Sequence, residues 1–169
     1  GTLGGDKNFW KFFSRASHYF SLPRKSTLEV RGRAGITEAY GDSERVPIYE
    51  RFFAGGANTI RGYPERSIGP IDSLTEDPLG GDALLVGNVE YLYPLFSMMK
   101  MALFYDTGNV WSNASDFATG DFLASFGFGV RLKTPIGPIV LDYGIPLDDA
   151  PGDKNKGKGR FHFSVSHGF

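Results

Sequence analysis

The stretch FLASFGFGVRLKT, residues 122–134, alternates between two kinds of side chain over most of its length. Its even-numbered positions from 122 to 132 are apolar, and the odd-numbered positions from 125 to 133 hold serine, glycine, arginine and lysine. A period of two is the pattern of a β-strand with one apolar face. Strands of soluble proteins average about 5–6 residues, whereas a tilted membrane-spanning strand needs about 9–11. The stretch therefore favours a membrane-spanning strand.

Six further segments share this alternation, and most of them reach ten residues. They are residues 8–22, 26–38, 82–93, 98–111, 137–147 and 160–169. Seven such segments predict an all-β antiparallel fold. Two features predict that the apolar faces meet lipid: the polar faces mix charges with small residues, as a wet lumen requires, and Tyr or Trp lie near strand ends, as in an interfacial girdle. These aromatic residues are Trp10, Tyr91, Tyr93, Tyr105 and Trp111.

The connections between the segments fall into two classes. Residues 23–25, 94–97 and 135–137 form short turns, whereas residues 42–81, 112–121 and 148–159 are long and polar. Short turns at one end and long loops at the other are typical of an outer-membrane barrel. The sequence therefore predicts an antiparallel transmembrane β-barrel.

Seven strands cannot close a simple antiparallel barrel, because the first and last would run parallel. Bacterial single-chain barrels have even strand numbers, and an open sheet edge in lipid leaves backbone groups unpaired. Either residues 1–7 belong to a further, truncated strand, or residues 1–169 are part of a larger barrel. The chain also starts without a signal peptide, so we interpret residue 1 as a boundary within a larger protein.

Composition agrees with a barrel and excludes several functions. The chain of 169 residues is 15% aromatic, contains 23 glycines and lacks cysteine, so disulfides, thiolate metal sites and a cysteine nucleophile are excluded. A net charge of −1 gives no indication of a nucleic-acid surface. The sequence contains no run of 18 apolar residues, so it predicts no transmembrane helix. We find no motif for a metal or a cofactor.

The loop at 42–81 is the strongest functional candidate, because long loops without periodicity are usually functional. It contains Gly55, Gly56, Ile60, Arg61, Gly62 and Tyr63, a glycine-rich turn around a single arginine. Glu90 and Asp106 fall on the polar faces of the next two strands, and an arginine can hold carboxylates through strong charge-assisted bonds. The alternative is that Arg61 is a solvated loop charge and that both carboxylates simply face water.

Four motifs along nearly the whole chain resemble one family. They are RFFAGG followed by IRGY, FYDTGNVW, TPIGP followed by DYGIPL, and the terminal FHFSVSHGF, at residues 51–63, 104–111, 134–147 and 161–169. In this order and spacing, they resemble the C-terminal barrel portion of the BamA/TamA superfamily of outer-membrane assembly factors. Ser166 departs from the glycine that many relatives carry near the closing seam.

The resemblance implies a structure larger than this chain. The family has a sixteen-stranded barrel preceded by periplasmic POTRA domains, of which this sequence contains about the last seven strands and no POTRA segment. Its long loop folds into the lumen, where the arginine, here Arg61, pairs with acidic wall residues. Its last strand closes the barrel at a weak seam and serves as an assembly signal, with the residues here being Phe161, Phe163, Val165 and Phe169.

The resemblance also implies a function. Such a barrel, in the outer membrane, folds and inserts client β-barrel proteins without nucleotide or covalent chemistry. The implied partners are the lipid bilayer, unfolded clients and, through periplasmic domains, assembly lipoproteins. A TamA-like or two-partner-secretion pore remains open, as does a passive outer-membrane pore. An enzyme would need His162, Ser164 and Asp142 to act together, and no nucleophile motif surrounds that serine.

Overall fold

Seven antiparallel strands, paired in chain order, form a single sheet. The computed structural model describes residues 8–43, 45–120, 122–135, 137–150 and 157–165. The strands are β1 (Phe9–Ser21), β2 (Thr27–Ala39), β3 (Ala83–Phe96), β4 (Met99–Trp111), β5 (Leu123–Thr134), β6 (Gly137–Pro146) and β7 (Arg160–Val165). The all-β antiparallel prediction is confirmed, with boundaries within a few residues of those expected. The end of the last predicted strand, including Phe169, lies outside the described residues.

The connections alternate as the sequence predicts. Short turns join β1 to β2, β3 to β4 and β5 to β6. Three-residue 3₁₀ turns lie at Pro23–Lys25 in the first short turn and at Ile48–Glu50 and Ala114–Asp116 in the long connections. The described residues contain no other helical segment. The long connection between β2 and β3 folds back over one face of the sheet, which we call the inner face. Within the part of the chain that the structure describes, no helix has the length and hydropathy needed to cross a bilayer.

Burial on the sheet is the reverse of that in a water-soluble protein. On the outer face Phe126 is 45% exposed and Phe128 is 54% exposed, whereas on the inner face Ser125 and Asp142 are 0% and 4% exposed. A soluble sheet would bury its phenylalanines and expose its carboxylates. Since the apolar face is the uncovered one, it is the lipid-facing surface of a transmembrane β-sheet.

Two aromatic residues do not lie where a girdle requires. Tyr105 is at the middle of β4, and Trp111 at its end is only 7% exposed. Phe117 and Phe122 cover the indole ring, with centroids 5.8 and 5.6 Å away. The connection after β4 therefore folds over Trp111, which alternation within the strand could not reveal.

The hydrophobic core lies between the β2–β3 connection and the inner face. It joins loop residues to the ends of β3 and β4 nearest the loop, namely Phe52, Ala54, Ile60, Tyr63, Ile68, Leu84, Val86 and Val110, with Ala150 from the β6–β7 connection. The inner face is thus dry and apolar at this end. The rest of the inner face, from Asn88 and Asp106 to Lys100 and Lys133 at the other end, has the polar character that the sequence predicts.

A charge on the outer face tests this orientation. We expect Phe128→Arg to lower the free energy of unfolding in a lipid bilayer by about 2–4 kcal/mol, the cost of arginine on the lipid face near mid-membrane. Urea unfolding of the full-length protein in liposomes measures it, with Phe128→Leu as the apolar control. Equal unfolding midpoints for the two variants would contradict a lipid-facing position.

Candidate functional site

The tip of the β2–β3 connection is a closed turn that places Arg61 beneath the loop and against the sheet. Gly55, Gly56 and Gly62 have φ angles of +106°, +91° and +90°, a region that residues with a side chain rarely adopt. The Gly56 N–H donates to the Tyr63 carbonyl at 3.1 Å, which closes the turn. Arg61 lies inside it and is 3% exposed.

Arg61 binds carboxylates from three strands. Its Nε and Nη2 donate to the two carboxylate oxygens of Asp106 on β4, at 2.8 and 2.9 Å, in a bidentate pair. Its Nη1 donates to Glu90 on β3 at 2.6 Å and to Asp142 on β6 at 3.1 Å. The backbone N–H of Arg61 also reaches Asp106, at 3.1 Å. One loop residue therefore connects β3, β4 and β6.

A second arginine, Arg131 on β5, binds two of the same carboxylates. Its Nε and Nη2 donate to Glu90 at 3.1 and 2.8 Å, and its Nη1 and Nη2 donate to Asp142. Arg131 therefore ties β5 to the same carboxylates of β3 and β6 that Arg61 binds. We call these two arginines and three carboxylates the ion cluster.

Neighbouring groups fix the geometry of the ion cluster. The Arg61 guanidinium carbon lies 3.6 Å from the centroid of the Phe104 ring, a cation–π contact. The Asn88 amide donates to Asp106 at 2.9 Å and to the Thr59 carbonyl at 2.7 Å, which joins the cluster to the loop backbone. Asp106 thus accepts bonds from both Arg61 and Asn88, and its side chain is fully buried.

The loop backbone lies directly on β6. A Cβ on Gly62 would lie 3.0 Å from the Gly144 carbonyl carbon, and a Cβ on Gly144 would lie 2.8 Å from the Arg61 carbonyl carbon. The separation at Gly144 is shorter than a real Cβ accepts, and the tight contact at Gly62 comes with a φ of +90°, so both positions favour glycine. Gly127 pairs with Gly144 across β5 and β6, which continues the row of small residues under the loop.

Two further bonds extend the site towards β7 and the β6–β7 connection. The Gly62 N–H donates to Nε2 of His162 on β7 at 2.8 Å. The Tyr63 hydroxyl lies 2.8 Å from the Ala124 carbonyl and 2.9 Å from the Asp148 carbonyl, and the tyrosine is 0% exposed. Residues 61–63 therefore contact every strand from β3 to β7 directly or through Arg131.

The ion cluster is almost completely shielded from water. Side-chain exposure is 4% for Arg61, 5% for Glu90, 0% for Asp106 and 4% for Asp142. Burial alone would lower the pKa of Arg61, but the bonds and charges of Asp106 and Glu90 outweigh it and raise the pKa. Two arginines against three carboxylates leave a formal charge of −1, and Arg31 lies 3.9 Å from Glu90 at the edge of the cluster.

The structure brings together Arg61, Glu90 and Asp106, the three residues that the sequence analysis grouped. Asp142 and Arg131 also belong to the cluster and were not predicted as members, although both lie on polar faces. Their proximity follows from the β5–β6 register, in which Gly129 pairs with Asp142 and places Arg131 diagonally across from it. The register can be obtained by pairing Thr134 with Gly137 at the turn and counting back along the two strands of the hairpin.

The remaining sequence candidates have separate positions. Phe161, Phe163 and Val165 lie on the outer face of β7 and are 84%, 64% and 38% exposed. Phe169 lies outside the described residues. Asp142 pairs directly with His162, but the acceptor nitrogen of this histidine faces the Gly62 N–H.

Within the described ranges, no three His, Asp or Glu side chains are arranged to hold a metal ion. The three carboxylates of the ion cluster are instead occupied by guanidinium groups. The site is therefore built to hold a polypeptide loop against a sheet.

Comparison with known proteins identifies a family and relatives to which this chain is similar. A family model described as the Omp85 superfamily domain matches residues 1–169. The outer membrane protein assembly factor BamA of Nitratidesulfovibrio vulgaris is 35% identical over 172 residues, covering 100% of this chain and 22% of that protein. BamA of Neisseria meningitidis serogroup B is 27% identical over 201 residues, covering 99% of this chain and 25% of that protein.

A solved structure agrees. The crystal structure of BamA from Haemophilus ducreyi lacking POTRA domains 1–3 matches with a TM-score of 0.80 and 26% identity, covering 95% of this chain and 35% of that one. Sheet, inverted burial and internal loop together define an outer-membrane β-barrel protein. The chain belongs to the Omp85 superfamily. It spans about a quarter of the length of the two BamA relatives.

Removal of the loop arginine tests the ion cluster. We expect Arg61→Ala to lower the free energy of unfolding by about 3–5 kcal/mol, because it leaves buried carboxylates without their partner. Urea unfolding of the full-length protein in lipid measures it. The matched control is Arg66→Gln, in the same loop, whose guanidinium lies over Phe53 and binds no carboxylate among the described residues. Equal losses for Arg61→Ala and Arg66→Gln would rule out a special role for the cluster.

The close approach of the loop to β6 has its own test. We expect Gly144→Ala to displace the loop and cost about 1–3 kcal/mol, the usual range for overpacking. Proteolysis of the loop under native conditions should increase with it. Gly32→Ala is the control, because a Cβ at Gly32 on the outer face has nothing within 4 Å. A protected loop in Gly144→Ala would show that β6 and the loop are not in backbone contact.

Proposed function

We propose that this chain is the C-terminal barrel portion of an outer-membrane protein assembly factor, which promotes folding and membrane insertion of client β-barrel proteins. The observation that carries the proposal is the buried ion cluster, in which Arg61 of the loop binds carboxylates on β3, β4 and β6. Similarity over the whole chain to proteins named outer membrane protein assembly factor BamA supports the same function.

The physical role of the loop in this function is that of a brace. A barrel that receives strands from other proteins must open some of its own strand pairs without unfolding. A loop that links the inner faces of β3 to β7 holds these strands together while an edge exchanges partners. The cluster stabilises this arrangement from inside, where the membrane exerts no constraint.

The proposed reaction needs no nucleotide, metal or covalent intermediate. Its driving force is the burial of client apolar surface in lipid and the pairing of client backbone groups in a closed sheet. The proposed partners are the lipid bilayer, unfolded β-barrel clients and, through periplasmic domains in the full-length protein, the lipoproteins of an assembly machine. The residues of the outer face of β7, Phe161, Phe163 and Val165, would act as the closing strand with Phe169.

Reconstitution of the full-length protein in liposomes tests the function. We expect it to accelerate the insertion of a denatured outer-membrane β-barrel client over protein-free liposomes, measured by the heat-modifiable mobility of the folded client. Arg61→Ala should reduce the rate several-fold because the brace is lost, whereas Arg66→Gln should leave it near that of the unmodified protein. A client insertion rate equal to that of empty liposomes would refute the proposal, and ion conductance without insertion would identify a passive pore.

A further inference from the structure

His162 lies where the loop meets β7, and the ion cluster does not use it. It is on the inner face of β7, directly opposite Asp142 on β6. Its Nε2 lies 2.8 Å from the backbone nitrogen of Gly62. The histidine side chain therefore forms a hydrogen-bonded link between the loop tip and this strand.

The donor of this bond is unambiguous. A backbone N–H can only donate, so Nε2 must accept with its lone pair, and a neutral ring must carry its proton on Nδ1. Gly62 cannot rotate to offer an acceptor instead, because its backbone is packed on Gly144. The bond is possible in one tautomer of the neutral ring and in no protonated form.

We infer that His162 is a positioning residue that holds the loop tip to β7 only while its imidazole is neutral. Protonation places an N–H on Nε2, where it opposes the N–H of Gly62. The contact between loop and β7 then becomes a contact between two donors and is lost. Acid therefore releases the loop from β7 and leaves the link to β3, β4 and β6 through Arg61 in place.

The charged groups around the ring do not compensate for that loss. The charged groups that face the ring are Asp142 on β6, Asp106 on β4, Arg61 in the loop and Arg160 on β7. Both carboxylates already accept bonds from Arg61, and Asp142 also accepts bonds from Arg131. The two carboxylates are therefore engaged by arginines, so they do not provide a new partner for the displaced Gly62 N–H.

An open cleft of about 630 Å³ lies next to the ring. It lies between the loop tip and β7, and its lining includes Tyr63, Glu65, His162 and Phe163. Glu65 is the further titratable group that faces this space.

The inference is independent of the assembly role, because it concerns a bond within the barrel, whichever function the barrel performs. NMR of the full-length protein, with ¹⁵N-labelled histidine, reads the tautomer directly. At pH 8 we expect the ring nitrogens of His162 to show a proton on Nδ1 and a lone pair on Nε2. The spectrum of His162→Gln identifies the signals. A proton on Nε2 at pH 8 would overturn the inference.

A second measurement follows the loop itself. Spin labels on Ala57→Cys in the loop and Ser164→Cys in β7, in a chain that has no native cysteine, report their separation by EPR. Between pH 8 and pH 5, the range over which histidine changes charge, we expect the short-distance population to fall roughly 2- to 10-fold, the effect of one lost hydrogen bond.

Three variants separate the switch from a purely structural role. His162→Gln keeps an amide oxygen that accepts the Gly62 N–H at either pH, so the loop should stay close to β7 and the pH dependence should vanish. His162→Leu should release the loop at both pH values. His18→Gln, on the outer face of β1, should behave like the unmodified protein. An unchanged pH response in His162→Gln would overturn the inference even if His162→Leu fails to fold.

Discussion

A buried guanidinium group is the constraint on which the rest of the structure depends. Taking Arg61 and its carboxylates out of water costs several kcal/mol per charge, and only well-formed bonds on every side offset that cost. Asp106 accepts a bidentate pair of bonds from Arg61, Glu90 and Asp142 accept one bond each, and Arg131 donates to the last two carboxylates as well. The strands that carry these groups must therefore keep their register to within a residue, because a slip of one would turn each carboxylate towards lipid.

The same constraint explains where side chains are absent. Arg61 can reach its three strands only if the loop backbone lies on the sheet, and this requires Gly62 and Gly144 to face each other without a Cβ. Phe104 supplies the opposite contact, an aromatic ring beneath the guanidinium. The ion cluster, the two glycines and the Phe104 ring therefore depend on one another, because a change in any of them alters the geometry of the rest.

Sequence alone predicted the parts of this site that depend on alternation. Glu90 and Asp106 could be assigned to the inner face because each stands in a clear strand pattern, and Arg61 was the single arginine of the loop tip. The ion pair of Asp142 with Arg131 depends instead on strand register across the β5–β6 hairpin. The hydrogen bond from Gly62 to His162 depends on how closely the loop packs against the inner face of the sheet. The dry end of the inner face was missed because residues 83–86 form a continuous apolar run, in which alternation does not distinguish the two faces of β3.

The sequence separations across the site impose an order in time. Neighbouring strands pair locally, but Arg61 meets Asp142 across 81 residues and Gly62 meets His162 across 100. Such distant contacts form late, after the loop-closure entropy has been overcome by the pairs between them. Because Arg131 lies on the wall, Glu90 and Asp142 already have a cationic partner before the loop arrives. Docking of the loop therefore reports that every strand from β3 to β7 is in place, which makes it a checkpoint for completion of this part of the barrel.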